Sequence, residues 1–260
     1  MPTLNVKKWT IILLLIAGII SGYHYGYESV LGQLAVAVIC AVLTSGIADY
    51  LKTKKWKISE SAIITGLIIG MVAGPNSSLV AIAVISVLAI ISKYLFQINK
   101  RSVLNPAAFG LLIGMLFFKI ALGWWADYSH IITIILGAIL MMKYAGHWKM
   151  IFAFLITFAA LICYKAYFYH LVIVEELFLN IGISFFFTFF MLTDPKTAPI
   201  FPNQQMKFGV LTALFTFVML QVYPAASFTG GLLLANLTVP FINYKSMKKI
   251  LKGMQSQSKI

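Results

Sequence analysis

Two short strings place polar side chains and prolines beside or within apolar segments of this 260-residue sequence. The first is Asn105-Pro106, and the second begins at Thr193 and ends at Thr197. Their amide, hydroxyl and carboxylate groups can donate or accept hydrogen bonds to a bound polar group. The candidate binding residues are Asn105, Pro106, Thr193, Asp194, Pro195 and Thr197.

Each polar residue in these strings also has a purely structural interpretation. Asn105 precedes a proline that can begin a helix, so its side chain can cap that helix. Asp194 precedes Pro195 and can cap the segment that follows. A functional role is the alternative, because an ionisable group at the centre of a membrane helix costs ~2.5–3.5 kcal/mol and usually serves a purpose. Both interpretations stay open for Asn105 and Asp194.

The elements that carry these strings are long apolar segments. Hydrophobic residues make up 61% of the chain and charged residues 10%, which is far from the composition of a soluble domain. A helix needs about 20 apolar residues to cross a bilayer, and about ten such segments are present. They lie near 9–27, 30–50, 59–74, 78–98, 105–122, 129–143, 149–169, 174–193, 206–222 and 224–243. The sequence therefore predicts an all-α membrane protein that forms one membrane domain over residues 1–260.

The basic residues predict which loops face the cytoplasm. If the ten segments alternate in direction, 20 basic residues divide so that all but Lys119 and Lys165 fall on one side. Positive charge concentrates on the cytoplasmic side of membrane proteins. We therefore expect a multi-pass protein of the cell membrane with both termini in the cytoplasm. This explains the net charge of +13 through loop topology, so no nucleic-acid partner is predicted, and the bilayer itself is the expected surrounding.

An internal repeat divides the predicted spans into two sets of five. Met71-Val-Ala-Gly-Pro75 resembles Met191-Leu-Thr-Asp-Pro195, and Asn105-Pro106-Ala-Ala resembles Tyr223-Pro224-Ala-Ala. Because five is odd, the second set must lie in the membrane with the opposite orientation to the first. We predict two inverted repeats, over about residues 1–122 and 123–260. Interrupted helices in such repeats place a site near the middle of the membrane.

Metal and haem chemistry are not predicted from this sequence. Cys40 and Cys163 stand alone in apolar segments, so neither a zinc site nor an iron–sulfur cluster is expected within the chain. No two of the four histidines lie i, i+4 on one helix face, so haem is not expected either. No dinucleotide-binding glycine fingerprint occurs, and a partner would have to oxidise a nicotinamide cofactor.

Longer strings resemble a known family of electron-transport proteins. They are Ser61-Ala-Ile-Ile-Thr-Gly-Leu-Ile-Ile-Gly70, Ile91-Ser-Lys-Tyr94, Leu104-Asn-Pro-Ala-Ala-Phe-Gly110 and Met191-Leu-Thr-Asp-Pro-Lys-Thr-Ala-Pro199. Together they resemble RnfD, a membrane component of the Rnf electron-transport complexes, and NqrB, its counterpart in the sodium-translocating NADH:quinone oxidoreductases. The resemblance extends over roughly residues 58 to 243. The family fold has two inverted five-helix halves, in agreement with the repeat.

The resemblance implies a membrane subunit that carries flavin and passes electrons in the membrane, with possible coupling to Na⁺ or H⁺ movement. It also implies other membrane subunits and a cytoplasmic partner that oxidises NAD(P)H or ferredoxin. Members with covalent flavin mononucleotide carry a Ser-Gly-Ala-Thr-type string, which does not occur in this sequence. We therefore expect flavin, as flavin mononucleotide or riboflavin, to be bound non-covalently, with Asn105, Thr193 and Asp194 as hydrogen-bonding residues.

A second hypothesis uses the same scaffold without a redox cofactor. In that case the chain is a channel or transporter for a small solute. The sequence predicts no particular catalytic residue in either case, and no metal ligand. Flavin in the purified protein favours electron transport, and solute flux in flavin-free vesicles favours the alternative.

Overall fold

The structure is a computed structural model, and it describes residues 6–98, 101–124 and 146–257. Within these ranges the chain is mostly helical. The predicted span near 129–143 lies outside the described residues, as do Lys100, Asp127, His130 and Lys143.

Nine α-helices and one small hairpin make up the described part. The elements are α1 (Val6–Tyr25), α2 (Tyr27–Thr53), α3 (Glu60–Val72), α4 (Leu79–Leu95), β1 (Gln97–Ile98), β2 (Arg101–Ser102), α5 (Pro106–Phe118), α6 (Trp148–Phe168), α7 (Ile173–Phe186), α8 (Pro202–Val222) and α9 (Ser227–Gln257). A π-helix, Phe187–Leu192, continues α7, and a 3₁₀ turn, Pro224–Ala226, precedes α9. The antiparallel pair β1–β2 departs from the all-α prediction, because the chain reverses there between α4 and α5.

Four helical segments are long and apolar enough to cross a membrane among the residues that the structure describes. They are Tyr27–Thr53, Trp148–Phe168, Pro202–Val222 and Pro224–Asn243. Shorter apolar helices occupy Glu60–Val72, Leu79–Leu95, Pro106–Phe118 and Ile183–Leu192. A 13-residue helix is about 20 Å long, which is less than the ~30 Å thickness of a hydrocarbon core. Several predicted spans are therefore interrupted helices rather than complete crossings.

The ends of two interrupted helices are satisfied by buried amide side chains. Gln33 Nε2 of α2 donates to Gly70 O at 2.8 Å and to Ala73 O at 3.0 Å, at the carboxyl end of α3. Asn105 Oδ1 accepts the N–H of Ala108 at 3.1 Å, at the amino end of α5. Backbone groups in apolar surroundings need such partners because water is not there to supply them. These two amides allow α3 to end and α5 to begin inside the protein.

The helices before and after the 125–145 gap pack in a similar way. On the first side, α2 packs against α3 and α4, and α4 packs against α5. On the second side, α6 packs against α8, and α8 packs against α9. The two groups meet where α5 contacts α9.

A cluster of aromatic rings contributes to the contact between the two groups of helices. Trp124, 6% exposed, packs edge-on against Phe186 and Phe228, at centroid distances of 6.3 and 5.7 Å. Its backbone N–H donates to Val72 O at 3.2 Å. Phe228 also packs against Phe158 and Phe187. Trp124 therefore links the end of α3 to the core formed by α6, α7 and α9.

Small residues allow the closest helix contacts in both groups. A Cβ atom on Gly66 of α3 would lie 2.7 Å from Val38 Cα and 2.8 Å from Ala37 O. A Cβ atom on Gly231 of α9 would lie 2.6 Å from Thr216 Cα. Neither neighbour is a flexible side-chain end, so the helices would have to separate to admit a methyl group.

We expect Gly66→Ala to destabilise the folded protein by about 1–3 kcal/mol, because the added methyl group overpacks the α2–α3 contact. Gly32→Ala is the matched control, since nothing lies within 4 Å of a Cβ atom at that position. Unfolding of the two variants in detergent micelles measures the difference. Equal stabilities would contradict the close α2–α3 packing.

Candidate functional site

The structure brings the two strings singled out from the sequence into contact. Asn105 Nδ2 donates to Met191 O at 3.1 Å, and the backbone N–H of Asn105 donates to Asn236 Oδ1 of α9 at 3.0 Å. Asn105 is 3% exposed and Asn236 is fully buried. We call Asn105, Met191 and Asn236 the asparagine junction. It joins the start of α5 to the end of the π-helix and to α9.

The π-helix places Met191 at this junction. The segment Phe187–Leu192 is buried throughout, and its carbonyl groups near the end lack regular helical donors. The Met191 carbonyl therefore takes the Asn105 amide as a partner. Single π-helical turns within α-helices are often found at functional sites.

The second string forms a tight turn directly after the π-helix. Asp194 Oδ1 accepts the N–H of Lys196 at 3.0 Å, and Asp194 O accepts the N–H groups of Thr197 and Ala198 at 3.1 and 2.9 Å. We call residues 193–198 the Asp194 turn. The capping interpretation of Asp194 accounts for these bonds, and the carboxylate is half-buried.

The remaining predicted residues occupy different environments. Thr193, 6% exposed, donates from Oγ1 to Phe189 O at 2.7 Å. Thr197 is buried, and its hydroxyl lies 3.5 Å from Asp194 O. Pro106 is buried at the first turn of α5, and Pro195 is exposed.

Arg101 fixes the Asp194 turn against the hairpin. Its Nη2 donates to Pro195 O at 2.6 Å and to Ala198 O at 2.8 Å. Because Arg101 precedes Asn105 closely in the chain, the same short stretch holds both the turn and the asparagine junction. Sequence reasoning missed this role because the positive charge of Arg101 was explained by loop topology alone.

Asn236 is the second residue that sequence reasoning missed. Its Nδ2 is buried without a hydrogen-bond partner among the described atoms. A buried amide donor that lacks a partner costs about 1–3 kcal/mol, so an unpaired group at this junction suggests a missing acceptor. An amide within the otherwise apolar start of α9 is the sequence signal that could have pointed to it.

Within the described residues, no group of three or more His, Cys, Asp or Glu side chains is arranged to hold a metal ion. Cys40 and Cys163 are free thiols on different helices. The polar groups of the site are amides, hydroxyls, one carboxylate and basic side chains. Such a set suits an organic or anionic ligand by hydrogen bonding.

A family model described as the NQR2, RnfD, RnfE family matches the chain twice, over residues 2–133 and 113–252. The chain is 33% identical over 134 residues to a protein of Haemophilus influenzae strain Rd that is named as the D subunit of an ion-translocating oxidoreductase complex, covering 50% of this chain and 36% of that protein. It is 33% identical over 133 residues to the protein of the same name from Actinobacillus pleuropneumoniae serotype 5b, covering 49% and 37%. The match thus spans about a third of the curated relatives' length.

We expect Asn105→Ala to lower the free energy of unfolding by about 2–4 kcal/mol, because it removes the helix cap and leaves the Met191 carbonyl unpaired. Asn203→Ala should change it by less than about 0.5 kcal/mol, since Asn203 is exposed in the first turn of α8. Thermal unfolding in detergent measures both.

Asn105→Asp separates the two contributions in the same assay. It keeps an acceptor for the Ala108 N–H and removes the donor to Met191 O. An intermediate loss of stability is expected. A loss confined to the helix cap, with Asn105→Asp equal to the parent protein, would contradict a role for the Met191 contact.

Proposed function

The chain belongs to the NQR2, RnfD, RnfE family, and on that premise we propose that it is a membrane subunit of an electron-transport complex. The observation that carries this proposal is the family match over both halves of the chain, together with the similarity to proteins named as the D subunit of an ion-translocating oxidoreductase complex. The apolar helices make it a membrane protein.

The proposed subunit works with other proteins. Its relatives are named as one subunit of a complex, which supports the presence of other membrane subunits. A cytoplasmic partner that oxidises NAD(P)H or ferredoxin would supply electrons, and Na⁺ or H⁺ would be the coupled ion. The basic loops on one side of the predicted topology offer a surface for an acidic partner.

We place both termini in the cytoplasm and treat the two halves as inverted repeats. The similar packing of α2, α4 and α5 to that of α6, α8 and α9 supports a repeated unit. The contact of the Asn105 and Met191 strings is consistent with their predicted location on the same side.

We expect opposite accessibility for two exposed lysine positions if this topology is correct. In a background of Cys40→Ser and Cys163→Ser, a membrane-impermeant maleimide added outside intact cells should label Lys119→Cys and not Lys55→Cys. Both positions are exposed, and permeabilised cells provide the control for reactivity. Labelling of both in intact cells would contradict the orientation.

Flavin is the cofactor that we propose for this subunit, and it would supply one- and two-electron transfer when bound. Three of the predicted ligands are already engaged within the protein: Asn105 with Ala108 and Met191, Thr193 with Phe189, and Asp194 with Lys196. The group that fits a ring carbonyl is the unpaired Asn236 Nδ2 at the asparagine junction. In this arrangement Asn105 positions Asn236, and Thr193 and Asp194 hold the surrounding backbone.

A transporter for a small solute is the second candidate function. It is favoured by the engagement of the predicted ligands within the protein and by the lack of a Ser-Gly-Ala-Thr string in the sequence. The scaffold and the asparagine junction would be the same, and the unpaired amide would face a solute instead of a flavin.

The flavin content of the detergent-purified protein tests the two candidates. We expect a yellow protein that releases its flavin into the supernatant after acid precipitation, because no attachment string is present. Flavin that stays with the pellet would show covalent attachment. A colourless protein prepared with flavin available would contradict the flavin proposal and favour the transporter.

Asn236→Asp tests the proposed contact. It keeps an acceptor for the Asn105 N–H and removes the Nδ2 donor, so flavin occupancy should fall by more than half. Asn203→Ala is the control and should retain the parent occupancy. Unchanged flavin content in Asn236→Asp would exclude this amide as a flavin ligand.

A further inference from the structure

Lys93 is a buried cation that the asparagine junction does not use. It lies in the last turn of α4 and is 6% exposed. Its Nζ donates to Ser61 Oγ of α3 at 2.9 Å. Among the described residues, no carboxylate lies within ion-pair distance of this ammonium group. A buried ammonium group is costly unless an anion or several acceptors compensate it.

The two nearest carboxylates are engaged elsewhere. Asp49 Oδ1 accepts the Tyr94 hydroxyl at 3.0 Å, and Asp194 Oδ1 accepts the N–H of Lys196 at 3.0 Å. Both interact with Lys93 only at longer range. The hydroxyl of Ser61 is therefore the direct partner of a group that has three donors.

Further positive charge lies close to Lys93. The side chains of Lys196 and Lys7 are near enough to repel it. Arg101 binds the carbonyl groups of Pro195 and Ala198 on the same turn as Lys196. Four cationic side chains thus face two carboxylates around the Asp194 turn. The surplus of positive charge would be relieved by an anion.

We propose that Lys93 and Ser61 bind a phosphoryl group, with Lys196 and Arg101 at the rim of the site. Phosphoryl oxygens accept hydrogen bonds from ammonium, guanidinium and hydroxyl groups, and lysine is a frequent phosphate ligand. The two carboxylates are held by Tyr94 and by the Asp194 turn, which limits their repulsion of the ligand. Binding would neutralise the buried charge and pin the Asp194 turn to α4.

The helix end alone does not account for this arrangement. A cation in the last turn of a helix is stabilised by the helix dipole, typically by about 0.3–1 kcal/mol. That effect favours Lys93 in α4, but it does not explain why Lys196 lies close to a cation that is already short of partners. A bound anion explains both positions.

Two sources share the proposed chemistry. One is the headgroup of an anionic phospholipid, because α4 is an apolar helix of a membrane protein. The other is a soluble phosphate compound, such as inorganic phosphate or flavin mononucleotide. The site requires only the phosphoryl group, so it does not depend on the flavin proposal.

Binding of inorganic phosphate to the delipidated, detergent-purified protein is the first measurement. We expect phosphate to raise the unfolding temperature of the parent protein, and Lys93→Met to weaken its affinity by about tenfold or more. Lys196→Met should weaken it by a smaller factor. Lys207→Met is the matched control, because Lys207 is exposed on α8 and lies on the same predicted side; it should bind as the parent does.

Native mass spectrometry of the protein before delipidation identifies the source. Retained phosphatidylglycerol that is lost in Lys93→Met supports a lipid headgroup. Phosphate or flavin mononucleotide binding without retained lipid supports a soluble ligand, and riboflavin, which lacks the phosphate, should then bind more weakly than flavin mononucleotide.

The proposal is overturned if neither phosphate affinity nor lipid retention differs between the Lys93→Met and Lys207→Met proteins. If Lys93→Met does not fold, the comparison of Lys196→Met with Lys207→Met decides the question, since Lys196 is only half-buried. Flavin content measured in the same preparations keeps the two proposals separate. Phosphate binding by a flavin-free protein would support this site and contradict the flavin proposal.

Discussion

The architecture depends on satisfying backbone groups where helices are interrupted inside apolar surroundings. A helix that ends short of the membrane surface leaves N–H or C=O groups with no water to bind. Gln33 meets this need at the end of α3, and Asn105 meets it at the start of α5. Asn105 also binds the Met191 carbonyl, so the same side chain that caps a helix connects the two groups of helices. A site is possible at this place because the fold must already supply polar groups there.

Polar and charged groups gather on one side of these interruptions. The hairpin after α4 carries Arg101, which holds the Asp194 turn, and α4 itself carries the buried Lys93. Close helix packing through Gly66 and Gly231 leaves little freedom for these elements to separate. The asparagine junction and the proposed phosphoryl site are therefore neighbours held by the same turn, and a ligand at either one would influence the other through residues 193–198.

Family membership and local geometry support the proposed function in different ways. The match extends over both halves of the chain, while the curated relatives are matched over about a third of their length. The chain thus shares the core of the family, and the side chains around that core must carry any difference in cofactor use. The engagement of Asn105, Thr193 and Asp194 within the protein turns attention to Asn236 as the group with an unused donor.

The sequence by itself determined the membrane character, the family, and the local role of Asn105 and Asp194, because hydropathy and capping depend on residues close together in the chain. The helix ends were harder to predict, since Gln33 can end α3 only through contacts made 37 and 40 residues away. Only the tertiary structure decided that Asn105 meets Met191, 86 residues later, and Asn236, 131 residues later. It also decided that Lys93 is buried beside Ser61 rather than extended towards the membrane surface. Burial and pairing of a polar group depend on which distant helices pack around it, and no local pattern contains that information.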